Sequence, residues 1–237
     1  MTEGWKRRRP SRRRPATKSG RFQRPGAVVF DLWDTLVRFD PVKSREFSDS
    51  VAVRLGRDPD EFQPVWIEGR PVRDTGPMAA YLKTLDASDE IVDQVIASHY
   101  DWARSALVPE PGTVETLVEL RRRDLKVGLL SVCSEAVPAV WADTVLHGLF
   151  DAEVFSCDVG MRKPDPRIYA LTCDRLGVDP AEAIFVGDGA NDELAGAERA
   201  GLRAVLICPE GREPFWPEAR DWNGARISAI PEVLELL

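Results

Sequence analysis

Five short runs of consecutive apolar residues punctuate the chain, at 27–32, 126–132, 152–156, 183–187 and 203–208. Runs of this length without polar alternation predict strands covered on both faces. Helical periodicity separates them, at 113–123, 167–176 and 191–200. Pro111-Gly112 precedes the first of these helices. Asp165-Pro166 opens the second, and Gly177 and Gly201 stand just past the ends of the last two, where glycine closes a helix. Strand–helix alternation of this kind predicts an α/β fold, a doubly wound parallel sheet with helices on both sides.

The rhythm breaks once, between the first and second strands. Residues 41–108 carry helical periodicity at 44–55, 76–85 and 89–106 and no strand-like run. A single crossover helix needs far fewer residues. The pattern therefore predicts a helical subdomain inserted into an α/β core made of 27–40 and 109–237. The chain closes with a short amphipathic helix from Pro231. Residues 1–26 have almost no aliphatic residue and read as a disordered basic arm.

Charge sharpens that division. The chain has 32 Lys and Arg against 39 Asp and Glu, but ten of the basic residues and one acid lie in 1–24. The remainder holds 22 basic and 38 acidic residues, a net charge of -16. Such a body repels nucleic acid, so any contact with it is confined to the arm, which otherwise reads as a dispensable extension. No apolar run reaches the ~18 residues of a membrane span, and no apolar stretch of signal-peptide type follows the basic N-terminus. The four cysteines, Cys133, Cys157, Cys173 and Cys208, are widely spaced and offer no zinc or redox pair. These features predict a reduced, cytoplasmic protein.

Three predicted strands end in polar residues: Asp31 in FDLWDTLV, Ser131 in GLLSVCSE and Asp188 in IFVGDGANDE. The carboxyl ends of parallel strands share one edge, where ligands bind, so these three side chains should converge. Asp192, four residues beyond Asp188, can reach the same cleft from the first turn of the next helix. Lys163, in GMRKPDP, can enter from the loop after the third strand. Several carboxylates facing one lysine call for a divalent cation, and an all-oxygen donor set favours Mg²⁺. A carboxylate nucleophile, a metal, a hydroxyl and a lysine suit phosphoryl transfer through an aspartyl-phosphate.

Taken in order, FDLWDTLV, Ser131, KPDPRIY and VGDGAND resemble the motifs of the haloacid-dehalogenase-like (HAD) hydrolase superfamily, over residues 27 to about 210. The resemblance implies a Rossmann-like core with a helical cap after the first strand. It implies Asp31 as nucleophile, Ser131 as the hydroxyl that binds the phosphoryl group and Lys163 as the ammonium that steadies both. It also implies a Mg²⁺ site made by Asp31, the Trp33 carbonyl, Asp188 and Asp192. The expected activity is Mg²⁺-dependent hydrolysis of a small phosphorylated metabolite, with the oligomeric state left open.

One position departs from the pattern. Phosphatases of the superfamily usually carry a second Asp two residues after the nucleophile, acting as general acid and then base. Here that position is Trp33, whose indole N–H is no usable acid. Such proton transfer is typically worth about 10²–10⁴ in rate. Three accounts stay open. Asp34 takes over the proton, the leaving group needs none, as in an acyl or aryl phosphate, or the protein is not an efficient phosphatase. Asp34 also reads as a turn residue, and Trp33, Trp66 and Trp102 as a pocket wall or cap packing. The alternatives to a phosphatase are a metal-independent 2-haloacid dehalogenase and a catalytically weak binding module. The acidic GDGAND segment favours the metal-dependent reading.

Overall fold

The computed structural model describes residues 25–237. All but the last two residues of the basic arm expected at 1–26 lie outside them. Six strands form one sheet: β1 (Ala27–Phe30), β2 (Lys126–Ser131), β3 (Ala152–Phe155), β4 (Ala183–Gly187), β5 (Arg203–Ile207) and β6 (Ala225–Ile227). Their order is β3-β2-β1-β4-β5-β6, and every pairing is parallel. The order reverses direction at β1, which is flanked by β2 and β4. Phe30 lies level with Leu129 on one side and Val186 on the other, so Asp31 emerges between the ends of two neighbouring strands.

The helices are α1 (Pro41–Arg54), α2 (Pro59–Glu68), α3 (Arg70–Arg73), α4 (Met78–Lys83), α5 (Asp89–Ala106), α6 (Thr113–Arg122), α7 (Ala136–Val140), α8 (Ser156–Val159), α9 (Pro166–Leu176), α10 (Glu193–Arg199) and α11 (Pro217–Arg220). Alternate strand residues face opposite sides of the sheet. Val28, Phe30, Val127, Leu129, Ile184 and Val186 pack with Leu117 and Leu120 of α6 and with α7. Ala27, Val29, Leu130, Ala183 and Phe185 pack with α9 and α10 on the other side. This double cover explains the continuous apolar runs. Each fully buried Leu or Phe contributes roughly 1.5–3 kcal/mol.

Helices α1 to α5 lie between β1 and β2 and form the helical cap region, with an apolar cluster of their own centred on Val51, Phe62, Trp66, Met78, Leu82 and Val95. Two cap helices start the same way. Asp40 and Asp58 accept hydrogen bonds from the N–H groups two and three residues on, with proline at the first helical position. The chain enters and leaves the cap side by side. Val37 pairs with Pro109, the Glu110 N–H donates to the Leu36 carbonyl at 2.8 Å, and Arg38 bridges Glu110 at 2.8 Å.

Several elements differ from expectation. The helix expected at 44–55 begins at Pro41, and that expected at 76–85 is the shorter α4. Helices α2 and α3 went unpredicted: α3 is only four residues long, and α2 carries Pro64 within its run. Strand β6 escapes it because two of its three residues are exposed. The C-terminal helix is a 3₁₀ helix, Ile230–Leu236. The helix expected at 191–200 starts later, at Glu193, because Asn191 and Asp192 both adopt left-handed backbone, with φ of 52° and 56°. No helix among the described residues is long and apolar enough to cross a membrane.

Candidate active site

Asp31 leaves the end of β1 with its N–H donating to the Val186 carbonyl at 2.9 Å, which fixes its backbone against β4. The Lys163 ammonium makes a close ion pair with Asp31 Oδ1, and the Thr35 hydroxyl lies 3.5 Å from Oδ2. Lys163 also reaches Glu193 Oε2 at 2.5 Å. The Lys163, Asp31 and Glu193 side chains are all buried. Burial alone would lower the lysine pKa, but the two carboxylates outweigh it and raise it, so Lys163 stays protonated.

Asp188 follows β4 and is held from two sides. The Trp216 indole N–H donates to its Oδ2 at 2.6 Å and the Ala190 N–H to its Oδ1 at 3.1 Å. Desolvation, with the Asp31 charge adding to it, pushes Asp188 up to about 6. Glu193 Oε1 accepts the Gly189 N–H at 2.9 Å. Burial drives its pKa upward too, against the pull of Lys163. One carboxylate oxygen from each of Asp31, Asp188 and Glu193 lies within 4.8 Å of the others. Three carboxylates and one ammonium leave negative charge in a desolvated place. A hard divalent cation with oxygen ligands fits that donor set.

The structure thus brings together Asp31, Lys163 and Asp188, as the sequence predicts. Asp192, also expected there, is exposed and outside the carboxylate cluster, whose third member is Glu193. The two left-handed residues turn the chain so that α10 begins one residue later, on an inward-facing side chain. The signal was present, since Glu193 heads the helical face that continues through Gly196, Ala197 and Ala200. Gly187 makes room for it. A Cβ there would stand 2.1 Å from Glu193 Oε1. Thr35 and Trp216 also escaped the sequence reading. Ser131 ends β2, fully buried, and its hydroxyl has no hydrogen-bond partner among the described residues.

Asp34 takes the turn role. Its φ is 54°, its N–H donates to the Val37 carbonyl at 2.7 Å, and its carboxylate accepts the Phe39 N–H at 3.1 Å. Partial desolvation raises its pKa; the Phe39 N–H opposes the rise and the Asp31 charge adds to it.

A cavity of about 920 Å³ lies between this cluster and the cap. Asp31, Lys163, Asp188 and Glu193 line it, together with the rings of Trp33, Phe39, Phe47, Trp66, His99 and Trp102. Trp33 packs on Trp102 at 5.6 Å, Trp102 on Phe47 at 6.2 Å, and Phe47 stacks on His99 at 4.7 Å between centroids. His99 is buried and faces the Ser134 hydroxyl through Nε2 at 3.1 Å. Burial, aided by the Arg73 charge, lowers it to about 3, so the ring is neutral at physiological pH. Arg73 stacks over Trp66 at 3.7 Å and donates to the Trp66 carbonyl at 2.7 Å.

A family model for haloacid dehalogenase-like hydrolases matches residues 25–201. The chain is 32% identical over 226 residues to a phosphatase of Mycobacterium tuberculosis, covering 88% of this chain and 96% of that one. It is 33% identical over 125 residues to glyceraldehyde 3-phosphate phosphatase of Methanopyrus kandleri, a match spanning 52% of this chain and about half, 53%, of that relative. Among solved structures, an HAD phosphatase from Thermococcus onnurineus superposes with a TM-score of 0.67 at 26% identity, covering 89% of this chain and 96% of that one.

Proposed function

The chain belongs to the haloacid dehalogenase-like hydrolase family, and within that family we propose that it is a Mg²⁺-dependent phosphatase. Its substrate is the phosphate monoester of a small metabolite, the class to which the three-carbon sugar phosphate in the name of the Methanopyrus relative belongs. The observation that carries this reading is the buried contact of Asp31 with Lys163 inside a cluster of three carboxylates at the strand ends. We take 27–40 and 109–237 as the hydrolase core and 41–108 as its cap.

An Asp31 carboxylate oxygen attacks phosphorus, and the bond to the leaving oxygen breaks. Lys163, held protonated, steadies both the nucleophile and a phosphoryl oxygen. Ser131, at the end of β2 beside the cavity-lining Val132 and Cys133, is assigned to the phosphoryl group on its place in the family motif. Asp31, Asp188, Glu193 and the Trp33 carbonyl would hold Mg²⁺, which supplies neutralisation of the phosphoryl charge. Water then cleaves the aspartyl-phosphate and returns Asp31 to its carboxylate.

The test is phosphate release from a panel of phosphorylated metabolites, with Mg²⁺ and with EDTA. Turnover that needs Mg²⁺ and vanishes in Asp31→Asn is expected. Chloride release from a 2-chloro acid in EDTA would replace the phosphatase by a dehalogenase. No turnover on either panel would favour a binding module.

A further inference from the structure

The turn that carries the nucleophile has no acid two residues after it. After Asp31 come Leu32, fully buried, and Trp33, an indole. Asp34 Oδ1 accepts the Phe39 N–H, and the Thr35 hydroxyl turns to Asp31. Lys163 is locked between Asp31 and Glu193, and Asp188 between Trp216 and Ala190. His99 is buried, with its Nε2 against the Ser134 hydroxyl at 3.1 Å. An alkoxide leaving group needs a proton from such an acid, whereas a phenolic oxygen, with a pKa of about 10, departs without one.

The wall of the same cavity matches that requirement. Trp33 stands two residues from the nucleophile and packs on Trp102 at an interplanar angle of 35°. Phe39 meets Trp33 edge-on at 85°, and Phe47 continues the surface to the neutral His99 ring. Aromatic faces and edges arranged in this way favour a planar ring in offset or edge contact, worth about 0.5–1.5 kcal/mol beyond its area.

We propose that the substrate class is an aryl phosphate, its ring packed against Trp33 and Trp102 and its phenolic oxygen departing as phenolate. This rests on the phosphatase reading above and narrows it. The Asp31 oxygen forms the new bond to phosphorus, and the P–O(aryl) bond breaks with its electron pair on the phenolic oxygen. The phenolate then takes a proton from solvent. Water adds its oxygen to phosphorus, its proton passes to solvent, and the Asp31 carboxylate is restored.

Matched esters test the proposal. With Mg²⁺, kcat/KM for phenyl phosphate should exceed that for cyclohexyl phosphate by roughly 10² or more. Phenylphosphonate, which cannot turn over, should inhibit more tightly than cyclohexylphosphonate by roughly two- to tenfold. Trp102→Leu, shown folded by circular dichroism, should erase that inhibitor preference. Equal rates for the two esters, or equal inhibition by the two phosphonates, would overturn the aryl assignment and leave the phosphatase standing. So would an Asp34→Asn variant that loses cyclohexyl phosphate turnover selectively, because Asp34 would then be the acid. Absence of phosphate release from any ester, or from acetyl phosphate, would overturn both.

Discussion

Glu193 and Asp192 are neighbours with opposite fates, and their contrast gives the sharpest residue-scale prediction. Glu193 is fully buried against Lys163, while Asp192 faces solvent. Glu193→Gln should weaken Mg²⁺ binding and turnover strongly, whereas Asp192→Asn should change either less than about twofold, read by Mg²⁺ titration of activity. Trp216 acts one step further out, through Asp188. Trp216→Phe removes the 2.6 Å donor and should weaken metal affinity by roughly 10–100-fold, as loss of an orienting partner does. His99 sets a pH dependence of stability. Its folded pKa is near 3, below the unfolded value of about 6.5, so the unfolded chain takes the proton first as pH falls. The stability it contributes is complete above about pH 6.5 and is lost progressively towards pH 3. Between pH 7 and 5 the native protein should lose about 2 kcal/mol more than His99→Phe, measured by urea denaturation at each pH.

At the scale of the element, legibility followed burial. Strands β1 and β4 were plain because both faces are covered, and the residues that follow them are Asp31 and Asp188. The start of α10 was not plain. Asn and Asp tolerate positive φ, but the pair does not say that both will adopt it, and that choice decides which acid turns inward. Trp216 was illegible for another reason: it comes from the loop after β5 and meets Asp188 only through tertiary folding. The end of β4 gives a test of close approach. A methyl group at Gly187 would collide with the Glu193 carboxylate, which is itself pinned by Lys163 and the Gly189 N–H. Gly187→Ala should therefore lower turnover and the thermal shift produced by Mg²⁺ while leaving the far-ultraviolet circular dichroism unchanged.

On the scale of the whole molecule, sheet edge and cap share one cavity, so chemistry and recognition come from different parts of the chain. The insertion was visible as a long helical interval, and Trp33, Trp66 and Trp102 read as a pocket wall or cap packing, but the part of Phe47 in that wall was not legible, because its ring partners are far apart in sequence. A metal that binds only the folded cluster stabilises by mass action. The melting temperature should rise with Mg²⁺ in the native protein, and EDTA should reverse the rise. The same titration on Asp31→Asn should show a much smaller shift.

The side-by-side entry and exit of the cap also bear on how fast the chain folds. Strand β1 must find β2 across roughly 95 residues, a long closure for a random chain. The cap, however, has an apolar cluster drawn from contacts local to itself, and its ends are joined by the Leu36–Glu110 hydrogen bond. Once it has collapsed, the effective loop between the two central strands shrinks to about 20 residues, which lowers the closure entropy by about 1 kcal/mol. The insertion then acts as a local splint for the most distant pairing in its half of the sheet. Loosening it by Phe62→Ala, far from the sheet, should slow refolding several-fold in stopped-flow fluorescence. An unfolding rate that rose with no change in refolding would place cap formation after the sheet.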